Sequence, residues 1–439
     1  MNTLRRLWWS NLRSSFWFVP SLIVTGSIVL AVALIGVDFT GTEQWLARWP
    51  LLFGVGADGA RGMLSTIAGS MMTVVGVTFS MVLMTLALAS SQYTSRILRN
   101  FMSDRVTQIV LGVFTGTFTY CLIVLRTIRG GEDGVFVPGL AVSFSVVLAM
   151  GGIGVLIFFI HHISASIQAS NIIASVADET MLVVDRLFPE KLGDGWDDED
   201  VAFPTPPPLP ECAWKAVPAK GNGYIQSLDN AALLRLACEN KTIVRMEHAI
   251  GEFVVRGAAL ASIALEKPPE KEIIGALQAA YGIDRHRTVS QDAAFGIRQI
   301  VDIALKALSP GINDTTTAVM CVDYLSAILA RLAPRPVPSS HRCVEGELRV
   351  IAKGPNFESL LTHAFDQIRR SANDNVTILL RILEALQILA GLATGPRRRK
   401  ALFEQMQQVA DMAARSVDSA HDRAKIEVHL MRLSINLEA

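Results

Sequence analysis

Charge is what this sequence is shortest of. Only 18% of its 439 residues are Asp, Glu, Lys or Arg, where a soluble domain carries about 25%. The shortfall sits in the first 160 residues, and the remainder has an ordinary globular composition. The signs cancel, 40 basic against 40 acidic residues, so no global electrostatic case exists for a nucleic-acid partner. Cysteine is sparse and scattered. Cys121, Cys212, Cys238, Cys321 and Cys343 form no CxxC pair and no His/Cys cluster. That pattern predicts reduced thiols, with neither a disulfide framework nor a metal site. Catalytic signatures are missing as well. There is no P-loop, H-E-x-x-H or G-x-S-x-G, so neither enzymatic activity nor a cofactor is expected. "GVGADG", Gly54 to Gly59, fits the dinucleotide fingerprint in letters alone, because no strand precedes it.

Long apolar runs are what the sequence has instead. Four stretches reach the roughly 20 residues a membrane helix needs: Phe16 to Val37, Gly62 to Ser90, Thr107 to Leu125 and Val135 to about Ile160. None holds an ionisable residue in its middle, which argues against a proton-coupled transporter. Arg5, Arg6 and Arg13 precede the first run, and Arg96, Arg99 and Arg105 follow the second. The positive-inside rule then places both termini in the cytoplasm. The expected location is the inner (plasma) membrane, with the lipid bilayer as the obligate partner.

The second run is patterned. Gly62, Gly69 and Gly76 recur every seven residues, and Thr66, Thr73 and Ser80 repeat four positions on. Such rows form adjoining stripes that drift only ~20° per heptad. Two readings follow: close helix packing, or the weakly polar face of a pore in a homo-oligomer. Gly112 and Gly116 form a short G-x-x-x-G in the third run, which favours packing.

Past the membrane part, the expectation is a cytoplasmic α+β region, making the whole chain mainly α. The predicted layout is a four-helix transmembrane domain (1–160), a helical stalk continuing the fourth helix (161–190) and an acidic, Pro-rich linker (191–211). A small β-rich module (212–266) and a helical domain (267–439) follow. Thr288 and Gln291 match a T-x-x-Q capping box. Arg397 to Lys400, "RRRK", predicts a solvated helix start, with contact to anionic lipid as the alternative.

"ALKALSPGINDTTTAV", Ala304 to Val319, interrupts two helical patterns. Pro310 disfavours helix at Ser309, Gly311 is free to take positive φ, and Asn313 or Asp314 can cap the next helix. This is a tight helical corner. The alternative is a site for a small ion or anion, with Arg285, Arg287, Asp292, Asp302, Asn313 and Asp314 converging on it.

"ASSQYTSRILRNFMSDR" and "RTVSQDAAFGIRQIVDIALKALSPGIND" are the two blocks that carry a family likeness. On them the chain resembles the domain of unknown function 2254 family of predicted bacterial membrane proteins. The corner in that family is often S-P-G-I-N-D-P, and this chain has Thr315 in the final place. The likeness implies a membrane location and no particular activity. The function expected from the residues is a homo-oligomeric, channel-like protein with a cytoplasmic regulatory domain. The alternative is a membrane-anchored sensing, binding or scaffolding protein without a pore.

Overall fold

The computed structural model describes residues 17–39, 56–92, 104–129, 136–188, 214–265, 267–337 and 340–438. The arginines of segments 1–16 and 93–103, the cysteine at 212 and the linker at 191–211 lie outside them, as does part of the Gly54 to Gly59 motif. The chain divides into two units, Met1–Gln168 and Ala169–Ala439. It is mainly helical, with small sheets confined to the second unit.

Among the described residues the first unit holds four helices: α1 (Phe18–Phe39), α2 (Ala57–Gln92), α3 (Arg105–Thr127) and α4 (Gly139–Ser166). All four are long and apolar enough to cross a membrane. The third is the hub, packing on each of the others. Some 56% of its apolar window is buried, against 11–17% for the rest. Its G-x-x-x-G is the reason α1 fits so closely. A Cβ on Gly112 would stand 2.7 Å from Ile23 Cδ1, and one on Gly116 would stand 2.5 Å from Ser27 Oγ. Small residues let helix backbones approach where lipid provides no hydrophobic drive between them. Tyr120 donates to the Ala141 carbonyl at 2.8 Å and ties α3 to α4. Asp38, near the end of α1, accepts from the Leu140 and Ala141 amides and so caps the start of α4. At the other end of the unit Asp104 caps α3 and hydrogen-bonds with His162 of α4 at 2.9 Å.

The second unit opens with α5 (Ala169–Leu187). A stalk continuing the fourth membrane helix was expected here. Instead α4 stops at Ser166, and α5 is a separate amphipathic helix. It buries Ile172, Ile173, Val176, Ala177, Val183 and Val184 against α8 (Ala293–Ala307) and α9 (Thr315–Leu332). Its apolar face is satisfied by a partner, so it belongs to a core.

A β-rich part follows: β1 (Trp214–Pro218), β2 (Gly223–Leu228), helix α6 (Asn230–Glu239), β3 (Val244–Met246), β4 (Phe253–Val254) and β5 (Ala259–Ala264). Next come α7 (Lys271–Ala280) and β6 (Tyr281–Asp284), and the hairpin β7 (His341–Val344) with β8 (Glu347–Ile351) lies further on. These form a five-stranded sheet, β1-β5-β3-β8-β7, and a three-stranded one, β4-β2-β6. Strand β6 pairs antiparallel with β2, and β8 pairs parallel with β3. Strand pairing thus crosses the break expected at 266/267, and the β-rich part recruits strands from the region expected to be helical. The β7–β8 turn has positive φ at both Glu345 and Gly346, the two-residue hairpin geometry that usually takes Asn-Gly.

Helices α10 (Phe357–Ala372), α11 (Val376–Leu392), α12 (Pro396–Ser416) and α13 (Ala420–Glu438) complete the unit around α8 and α9. At the start of α12 Arg397 and Lys400 are exposed, as expected of a solvated basic run, and Arg398 is the exception. Arg398 is fully buried, donates to the carbonyls of Ala333 and Arg335 and lies over the Phe357 ring. Those carbonyls follow the C-terminus of α9, where acceptors have no helical partner and a cation is favoured. Arg335 in turn donates to the Phe188 carbonyl and pairs with Asp185. One guanidinium chain therefore joins the ends of α5, α9 and α12.

Helix α8 lies so close to α5 that a Cβ at Gly296 would stand 2.9 Å from the Thr180 Cβ. Gly296→Ala is expected to destabilise this unit by about 1–3 kcal/mol through overpacking. Thermal unfolding of the detergent-solubilised chain checks this, with Gly275→Ala, which meets open space, as the control.

Candidate functional site

The stripe residues of α2 lie on one face, and none of the described residues covers it. Gly62, Thr66, Gly69, Thr73, Gly76 and Ser80 are all exposed. A Cβ added at any of the three glycines meets open space. The opposite face, with Ala60, Leu64, Ala68 and Met71, is buried in the unit. The two small-residue patterns therefore diverge: the pair on α3 is spent inside the bundle, and the rows on α2 are left open. From Gly62 to Ser80 the face runs about 27 Å along the helix, close to the ~30 Å thickness of a hydrocarbon core. Its hydroxyls are held by the helix itself. Thr66, Thr73 and Ser80 donate to the carbonyls of Gly62, Gly69 and Gly76 at 2.8, 3.0 and 2.9 Å. Toward one end the face becomes a shallow groove lined by Thr73, Gly76, Val77, Ser80, Met81 and Met84.

The six residues proposed around the helical corner are not gathered into one place. Arg287 and Asp292 form a pair at the start of α8, with Nε and Nη2 at 2.9 and 2.7 Å from Oδ2. Asp292 is only 5% exposed, and its other oxygen caps α8 by accepting from the Phe295 amide. Burial pushes its carboxyl up from the ordinary value, against the pull of Arg287. This cap displaces the expected capping box, since Gln291 turns away to accept from the Leu228 amide. Asp302 pairs with Arg298 one turn earlier, at 2.7 Å, and Arg285 is exposed. Asn313 and Asp314 lie beyond the far end of α8, about 22 Å along its 15 residues from Asp292.

At the corner itself Asn313, with φ 49°, takes the left-handed conformation that Gly311 was expected to supply. Asp314 caps α9, accepting from the Thr317 amide at 3.0 Å and from its hydroxyl at 2.6 Å. The Asp314 amide closes the turn onto the Ala307 carbonyl.

One polar group escaped the reading of the sequence. Glu252 beside β4 meets His248 and Lys353 at 3.1 and 2.8 Å. Glu247 after β3 accepts from Arg245 and from the Ser262 hydroxyl. Burial opposes both carboxylates, yet the hydrogen bonds from Lys353 and His248, and from Ser262 and Arg245, hold them below their ordinary values. Lys353 is about 100 residues from its partners, and only the β3–β8 pairing brings it there, so no local spacing could have signalled it.

These features fit a broader likeness. Residues 13–388 match the family described as predicted membrane protein, domain of unknown function 2254. The chain belongs to this family. Uncharacterised proteins of Mycobacterium bovis and Mycobacterium tuberculosis are each 35% identical to it over 375 residues, covering 84% of this chain and 70% of theirs. No solved structure matches it. With its apolar helices and this membership, the chain is a membrane protein.

Asp314→Ala is expected to lower stability by about 1 kcal/mol at neutral pH through loss of the cap. The hydrogen bond from the Thr317 hydroxyl holds the Asp314 carboxyl below its ordinary 3.8. Its contribution is therefore present above about pH 4 and is lost as pH falls through the folded value. Unfolding curves of wild type and variant should converge on acidification.

Proposed function

We propose that this chain is a four-span, homo-oligomeric protein of the inner (plasma) membrane whose copies meet along the small face of α2. The assembled axis gives a channel-like path, and the second unit is its cytoplasmic regulatory part. The observation that supports this is the open face itself. Six small residues in two rows extend for about the thickness of a bilayer. Among the described residues no helix covers the three glycines. Association of membrane helices is favoured where small residues let backbones approach. An uncharged lining of this kind would select weakly and gate by width or dewetting.

Helices α1 to α4 are the proposed spans. Helix α9 also has the length and apolar composition of one. It is better read as a core helix, because half of its window is buried and because Asp323 and Arg331 on it pair with Arg381 and Asp185. Arginine placement then puts both termini on the cytoplasmic side. Reporter fusions after Asp38 and after Gly131 should report the periplasm, and one after Arg105 the cytoplasm. Cytoplasmic signals from both of the first two would overturn the orientation.

A second reading is supported by the hydroxyls. Because Thr66, Thr73 and Ser80 donate to their own helix, the face can close by dry packing, leaving an anchor without a pore. Cysteines at Thr73 and Ser80 separate the two. In a pore they react with water-soluble thiol reagents, and Gly69→Leu or Gly76→Leu cuts flux from intact oligomers in liposomes. In a packed interface neither cysteine is labelled, and the leucines break assembly instead. A monomer in mild detergent, with neither flux nor labelling, would sink both.

A further inference from the structure

Helix α13 (Ala420–Glu438) is apolar on two opposite faces, and among the described residues only one is packed. Helix α13 packs on α11 and α12 through Ile426 and Leu433, which are buried, with Leu430 and Leu437 half-buried beside them. On the far side Ala424, Val428, Met431 and Ile435 are exposed, the last three at 48%, 69% and 62%. Their spacing is four, three, four. That is the 3.5-residue repeat of a coiled-coil seam, not a scatter of surface residues. Scattered single hydrophobics need no partner, but a row at seam spacing exposes a continuous apolar edge.

The flanking charges say which partner fits. With Val428 and Ile435 at a and Met431 at d, Glu427 falls at g and Arg432 at the following e. In a parallel pair of such helices, g of one chain faces the next e of the other. Glu427 then meets Arg432 of a second copy, twice by symmetry. An antiparallel pair would set glutamate near glutamate. Both side chains are exposed, and among the described residues neither has an ion-pair partner. Neighbouring Lys425 is already engaged with Asp422 at 3.1 Å.

We infer that the exposed Ala424–Val428–Met431–Ile435 face of the last helix docks in parallel on the same face of a second copy of this chain, its register set by Glu427 and Arg432. The contact is short, so it adds to assembly rather than driving it. It also lies outside the family match, which ends at residue 388. It stands apart from the α2 interface, which concerns the membrane unit alone.

The test is cysteine crosslinking of the full-length chain in native membranes, with Cys212 and Cys343 replaced by serine. Met431→Cys and Ile435→Cys should each give an oxidation-dependent band at twice the 47.7 kDa of the chain. Arg423→Cys, exposed but off the seam, should not. Glu427→Arg should lower the Met431→Cys yield about three- to ten-fold, as two weak attractions become repulsions. Adding Arg432→Glu should restore it. No crosslink at either seam position, equal crosslinking at position 423, or no rescue by the double reversal would overturn the inference. Because these readouts sit on α13, their failure leaves the labelling result at Thr73 and Ser80 standing, and the reverse also holds.

Discussion

Close backbone approach between helices is the interaction on which the membrane unit depends. Lipid tails are as apolar as leucine, so burying one apolar helix against another yields little by itself. What separates a packed helix from a loose one is whether small residues let the backbones meet. Helix α3 has Gly112 and Gly116 against Ile23 and Ser27, and it alone of the four is mostly buried. The polar contacts follow from that placement. With α3 seated at the centre, Tyr120 reaches the Ala141 carbonyl and Asp104 reaches His162. Asp38, on α1, closes the other end against the start of α4.

The second unit obeys the opposite rule. Its helices bury large apolar side chains and show a buried face packed on a neighbour. Among the described residues three of its four buried charges, Asp292, Arg335 and Arg398, meet helix ends, and the fourth, Arg369, donates to Gln408. Arg398 and Arg335 satisfy carbonyls at the ends of α9 and α5, groups that would cost free energy if left bare in the interior. Asp292 and Asp314 do the same for the amides that start α8 and α9. Much of what looks like a charged site in the sequence is therefore end-capping.

Among the described residues two uncovered faces carry a regular pattern, the small face of α2 and the seam of α13. The first is built of glycine and hydroxyl side chains held to their own helix. The second is built of Val428, Met431 and Ile435, flanked by charge. A protein that assembled in the membrane and in the water beside it would need both kinds of contact.

Local pattern was enough for much of this. Apolar runs without charge marked four of the five described helices that are long and apolar enough to cross a membrane, and the proline-to-aspartate corner identified the start of α9. These features depend on residues within a turn or two of each other, and the sequence states those directly. Tertiary structure decided the rest. Whether a row of glycines is packed or open depends on which helices lie beside it, so Gly112 and Gly62 could not be told apart by spacing. The β7–β8 hairpin pairs with a strand about 100 residues earlier, and that register is set by distant partners. Arg398 looked solvated because its neighbours Arg397, Arg399 and Lys400 are polar, while the carbonyls that bury it belong to another helix. The convergence of Arg287, Asp292, Asn313 and Asp314 failed for the same reason. The length of one helix lies between the two pairs, and only the fold places each at its own end.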